Sequence, residues 1–179
     1  MSKGFTLIEI LIYVAIFAVV SGFFVGILLI TLRVQGTQSG LVEISSQLNF
    51  AMQTIQRHVR EANSISAPAS GTSGSTLTVN KPAGVVTITR GTCGAPAVVN
   101  AICVTEAGAA ALPITTSKIG VTTLNFTHFT NPSSLPCPGT PCVPATETIQ
   151  IEITANNLSI NPEQSVTRTL RSAASPFKQ

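Results

Sequence analysis

The chain has 179 residues, a formal net charge of +3 and 9% charged residues against 44% hydrophobic ones. With no Asp and two His, acid–base and metal chemistry have few candidate groups, and there is no dense basic surface of the kind that holds nucleic-acid phosphates. The length suits one small domain plus an apolar segment, and much of the apolar content lies before Arg33.

The first predicted element is the run 5–32, whose one charged residue is Glu9. A bilayer core needs roughly 20 apolar helical residues, so this run is long enough to span. Lys3 precedes it and favours a cytoplasmic N-terminus, a bias that Arg33 at the far end weakens. A secretory signal peptide would carry an apolar stretch of roughly 7–15 residues and a small-residue cleavage site after it, so a membrane anchor fits better. A charge at the centre of a membrane helix costs about 2.5–3.5 kcal/mol on insertion scales. Glu9 lies near the helix start, where the cost is smaller, yet such a residue still asks for a function. Gly22 and Gly26 have the small-xxx-small spacing that lets membrane helices approach closely; they could equally be two flexible points in a long helix.

A polar stretch with Gly36 and Gly40 follows, and each Gly costs a helix roughly 1 kcal/mol relative to Ala. Apolar residues then recur at Leu41, Ile44, Leu48, Met52, Ile55, Val59 and Ala62, steps of three and four that predict an amphipathic helix. The expectation is one long helix over 5–62, bent or frayed around 36–40. His58, between basic neighbours, reads as a solvated helix residue.

Beyond Ala62 the pattern changes. "SISAPASGTSGS" (64–75) reads as a loop rich in Ser, Gly and Pro. Leu77 and Val79 alternate with Thr, "KPAG" predicts a turn, and Val86 and Ile88 follow. "VVNAICV", "GVTTLNFTHFT", "ETIQIEIT" and "SVTRTL" are further strands, with Ile149, Ile151 and Ile153 on one side and Gln150 and Glu152 on the other. Period-2 alternation and β-branched residues predict an antiparallel sheet with one buried face, packed on the stripe from Leu41 to Ala62. The fold class is α+β. His128 falls on a strand near the core edge. No Ser-His-acid order, phosphate loop or metal-ligand cluster is visible, so no catalytic residue, metal or cofactor is assigned.

Four cysteines, Cys93, Cys103, Cys137 and Cys142, allow three pairings. Local loop closure favours Cys93–Cys103 and Cys137–Cys142; zinc sites usually have tighter, His-containing spacings.

"KGFTLIEILIYVAI" closely resembles the signal and N-terminal helix of type IV pilins and type II secretion pseudopilins. The resemblance covers about 15 residues and implies a pilin fold. It implies cleavage by a prepilin peptidase between Gly4 and Phe5, N-methylation of Phe5, and delivery to an inner-membrane assembly platform. It implies that Glu9 pairs with the N-terminal amine of a neighbouring subunit during assembly. Phe5 and Glu9 also stand i and i+4 on one helix face, so Glu9 pairing with its own N-terminus stays open. The chain then divides into a leader (1–4), a transmembrane helix half (5–33), an amphipathic half (34–63) and a β-rich head (64–179). The head would lie outside the cytoplasm, on a surface pilus or a periplasmic pseudopilus. "MQTIQRHVREA" and "TSKIGVTTLNFTHF" are similar to segments of minor pilins and J-type minor pseudopilins, which favours a minor filament component. A major pilin, a pseudopilin of a secretion or DNA-uptake machine, and an adhesive or DNA-binding tip subunit are the alternatives. The scattered charges predict no nucleic-acid site, and the absence of a catalytic constellation argues against an enzyme.

Overall fold

A computed structural model describes residues 7–131, 146–158 and 165–177, the side chains at 33, 36, 37, 39 and 131 excepted. One helix, α1, runs unbroken over Leu7–Arg60. Nine strands follow: β1 (Ser64–Ala67), β2 (Ser73–Gly74), β3 (Thr76–Lys81), β4 (Gly84–Cys93), β5 (Val98–Glu106), β6 (Leu112–Pro113), β7 (Ile119–Asn131), β8 (Thr146–Asn157) and β9 (Thr167–Ala174). The long apolar helix and the antiparallel strands make an α+β fold. The glycines at 36 and 40 do not interrupt α1, but the chain divides into two compact units between Ser39 and Gly40.

In the first unit, Leu7–Leu32 has a mean hydropathy of 2.7, and none of it is buried. It is long and apolar enough to cross a membrane. Apolar surface of this extent needs lipid or other chains to cover it.

In the second unit the strands form two antiparallel sheets rather than the single sheet expected. One has the order β1-β3-β4-β5-β6 and the other β2-β7-β8-β9. They share one core with the C-terminal part of α1. Ile44, Leu48, Ala51, Met52, Ile55 and Val59 from the helix, with Ala62 just past its end, meet Leu77, Val79, Val86, Ile88, Ile102 and Val104 of the first sheet. Val121, Leu124, Phe126, Ile149, Ile151 and Ile153 close that core from the second sheet. The alternation expected for β8 holds: Ile149, Ile151 and Ile153 are buried and Gln150 is exposed. The helical stripe begins one step later than its spacing suggested, because Leu41 remains 38% exposed.

The segment 64–75 contains two strands instead of a loop. β1 pairs with β3 from Ser64↔Asn80 onward, and β2 pairs Ser73↔Thr127 and Gly74↔Phe126. Small hydroxyl residues carry this because the ladder is made by backbone groups, with Asn80 Nδ2 donating to Ser64 Oγ (3.0 Å) and Ser66 Oγ (2.7 Å). The "KPAG" turn is where expected: Lys81 pairs with Gly84 across Pro82 and Ala83. Gly84 has φ +129°, and a Cβ there would lie 2.7 Å from Ala107 Cβ. Only glycine lets the β3–β4 turn sit against the turn that follows β5.

Candidate functional site

Glu9 lies in the first turn of α1 and is exposed. Farther along, Val19, Gly22, Phe23, Gly26, Ile27 and Ile30 line a shallow apolar groove of about 410 Å³. The two missing side chains make the groove, because a Cβ at Gly22 or Gly26 would meet nothing within 4 Å. The cleavage pair Gly4 and Phe5, with Lys3 before it, lies outside the described residues.

At its other end α1 builds a polar junction. His58 is 4% exposed, buried rather than solvated. The spacing that buries Ala51, Ile55 and Ala62 also includes position 58, so His58 continues the apolar stripe. The Lys81 ammonium, at the end of β3, lies 2.6 Å from His58 Nδ1 and 2.7 Å from Glu61 Oε2. An ammonium has only hydrogens to offer. His58 Nδ1 therefore accepts, and the ring is the neutral tautomer with its proton on Nε2. A histidine in the last turn of a helix is ordinarily helped to ionise by the exposed carbonyls. Here burial, then Lys81, then Arg57 push its pKa below the ordinary value, against the weaker pull of Glu106 and Glu61. The hydrogen bond from Lys81 lowers the pKa of Glu61; desolvation opposes it, and the charges of Lys81 and Arg57 add to the lowering.

The C-terminal segment closes this junction, with the Phe177 amide donating to Arg60 O at 3.0 Å. The Phe177 ring is 72% exposed and borders a groove of about 540 Å³ with Arg60, Glu61, Asn63, Lys81, Pro82 and Ala83. Farther back along α1, Gln56 Nε2 donates to Ser172 Oγ at 2.6 Å, and Arg168 donates to Ser45 Oγ, which ties the helix to β9.

Cys93 and Cys103 form a disulfide across the β4–β5 hairpin. They pack with Ala101, Val98 and Ala111 in a small apolar cluster apart from the main core. Cys137 and Cys142 lie outside the described residues. His128 is buried on β7, deeper than the core edge, with Nδ1 2.9 Å from Pro68 O. A carbonyl can only accept, so Nδ1 carries the proton. Among the described residues no group of three or more His, Cys, Asp or Glu could hold a metal ion.

The junction was missed in sequence because its partners lie apart along the chain: His58 in the last turn of α1, Glu61 just past it, Lys81 at the end of β3. The one available signal was the register of position 58 on the apolar stripe.

Residues 1–25 match the model of the prokaryotic N-terminal methylation motif. No curated protein and no solved structure matches the chain.

Proposed function

From the premise that this is a type IV pilin-like chain, we propose that it is a structural subunit of a type IV pilus or related filament, and a minor pilin. The observation that carries the reading is the methylation motif at 1–25, continued by the apolar helix segment Leu7–Leu32. The motif implies processing by a prepilin peptidase and assembly with other pilin subunits. In the proposed order, cleavage between Gly4 and Phe5 removes the leader, and Phe5 is N-methylated. The segment to Arg33 holds the subunit in the inner membrane, and the amphipathic half and β-rich head lie outside the cytoplasm. An assembly platform then transfers it into the filament.

Glu9 has a physical role in this order. The new N-terminal amine is cationic at neutral pH, and opposite charges attract far more strongly in a low-dielectric medium than in water. A carboxylate in an apolar segment gains most when a neighbouring subunit's amine is its partner. The Gly22/Gly26 groove supports the same reading, since a shallow apolar face suits a packed neighbouring helix. The Cys93–Cys103 bridge suits a head exposed to an oxidising compartment.

The test is Glu9→Ala, with prepilin cleavage and the amount of subunit in sheared filaments measured side by side. Normal cleavage with a loss of about tenfold or more in filament incorporation is the expected result. Incorporation at the wild-type level removes the assembly role. Abundance of the wild-type chain in the same preparations separates a minor from a major pilin. Recovery in a periplasmic rather than a surface fraction would favour the pseudopilin alternative.

A further inference from the structure

The junction at the end of α1 places a buried neutral imidazole directly against a cation. Lys81 Nζ is shared between two acceptors, His58 Nδ1 at 2.6 Å and Glu61 Oε2 at 2.7 Å. The two differ in place: His58 is buried and Glu61 is exposed. Lys81 begins the turn 81–84, and that turn is fitted closely at Gly84 against Ala107. The lysine therefore fastens a hairpin tip to the end of the helix through two bonds, and the one to the buried His58 exists only while Nδ1 has a free lone pair.

We propose that His58 and Lys81 form a pH-sensitive latch, which pins the 81–84 turn to the buried face at the end of α1 at neutral pH and in acid leaves it held only by the exposed Glu61. Protonation puts a hydrogen on Nδ1, so two cationic donors face each other across 2.6 Å and one must leave. His58 is fixed on α1, whose Ile55 and Val59 are anchored in the main core. Lys81 is at a strand end with an exposed second acceptor, so Lys81 is the group that moves.

The charged groups around the imidazole are Lys81, Arg57, Glu106 and Glu61. Glu61 already serves Lys81 and lies within 4.0 Å of Arg57, so it is poorly placed to neutralise a new imidazolium as well. Glu106, at the end of β5, is the remaining carboxylate, and its pull is weaker than the push from Lys81. Burial of the ring and both cations oppose protonation in place, so the imidazolium is accommodated by opening. The opening is local. Leu77 and Val79 of β3 stay in the core, and the Asn63 amide still donates to Asn80 O at 2.8 Å. The event is a sub-global release of one turn rather than unfolding of the head.

The test uses the full chain in detergent micelles. Amide exchange of residues 80–85, corrected for the intrinsic pH dependence of exchange, is followed from about pH 7.5 to about pH 5, with NMR titration of the His58 ring. Glu61 stays ionised over that window, because its pKa lies below 4.5. Protection of these amides should fall about tenfold, with the midpoint of the ring titration, while the core amides of β8 stay protected. His58→Asn keeps an acceptor near the Nδ1 position and does not titrate, so its protection should stay flat. Constant protection in the wild type, or an equal loss in His58→Asn, overturns the latch. Lys81→Met provides a second reading that does not depend on how His58→Asn folds: the His58 ring should then titrate at higher pH than in the wild type. An unchanged titration there would also refute the proposal.

Discussion

At the scale of single residues, the environment of a side chain decides its chemistry more than its place on a helical wheel. His58 and Glu61 are one turn apart at the end of α1, and Lys81 lowers the pKa of both. The consequence for stability has the same sign for both. For His58 the folded pKa lies below the ordinary 6.5, so the unfolded chain takes up its proton first as the pH falls. Its contribution is intact above about pH 6.5 and is lost as the pH drops through the folded value. Glu61, whose ordinary value is 4.5, contributes fully above about pH 4.5 and loses its contribution below it. The melting temperature of the full chain in detergent should therefore fall in two steps on acidification. The step beginning near pH 6.5 should disappear in His58→Asn, and the lower one should shrink in Glu61→Gln. Thermal melts followed by circular dichroism across that range check both. Glu61 is an exposed group paired with Lys81 and Arg57 at the surface, and surface pairs of that kind are worth little, so the lower step is the smaller.

At the scale of elements, the disulfide is the clearest case of a local device. Cys93 and Cys103 are separated by 10 residues and bridge the hairpin of β4 and β5. Closing a loop of that length removes about 2–3 kcal/mol of unfolded-state freedom in the chain-entropy model. The double change Cys93→Ser and Cys103→Ser should cost about that much. The loss should fall mainly on the cluster with Val98, Ala101 and Ala111, because those residues pack separately from the main core. Denaturant unfolding and amide exchange of β4 and β5 measure the two parts. Elements of this kind differ in how openly the sequence declares them. The isoleucines of β8 and the stripe on α1 were legible because a buried face imposes a period that needs no knowledge of the partner. β1 and β2 were not legible, because Ser64–Ala67 and Ser73–Gly74 enter sheets through backbone pairing that leaves no apolar alternation. The separation into two sheets was hidden for a related reason. Each strand records which of its faces is buried, whereas the choice of neighbour depends on register, and β2 joins β7 rather than β3. Of the candidate site, Glu9, Gly22 and Gly26 stood out as exceptions within a uniform apolar run, while the His58–Lys81 pair exists only after folding.

At the scale of the whole molecule, the division between Ser39 and Gly40 separates two ways of hiding apolar surface. Before it, α1 exposes Leu, Ile, Val and Phe on every side over Leu7–Leu32, and only a surrounding apolar medium or other helices can cover them. After it, the main core is built by the chain itself: among the described residues its members run from Ile44 to Ala174 and include none of the first unit. The helix segment from Gly40 onward thus belongs energetically with the strands. A cut at the helix–strand boundary would remove Ile44, Leu48, Ala51, Met52, Ile55 and Val59 from the core, and each large side chain among them contributes about 1.5–3 kcal/mol by burial. A fragment beginning at Gly40 should therefore be soluble and unfold cooperatively, whereas one beginning at Ser64 should not fold. The first fragment loses only the unburied apolar segment, and the second loses the helix that lies against both sheets. Expression of the two fragments with an oxidised Cys93–Cys103 bond, followed by near-ultraviolet circular dichroism and thermal melts, distinguishes them. A folded 64–179 fragment would mean that the sheets close a core on their own. An unfolded 40–179 fragment would mean that the head depends on the apolar segment despite sharing no core residue with it.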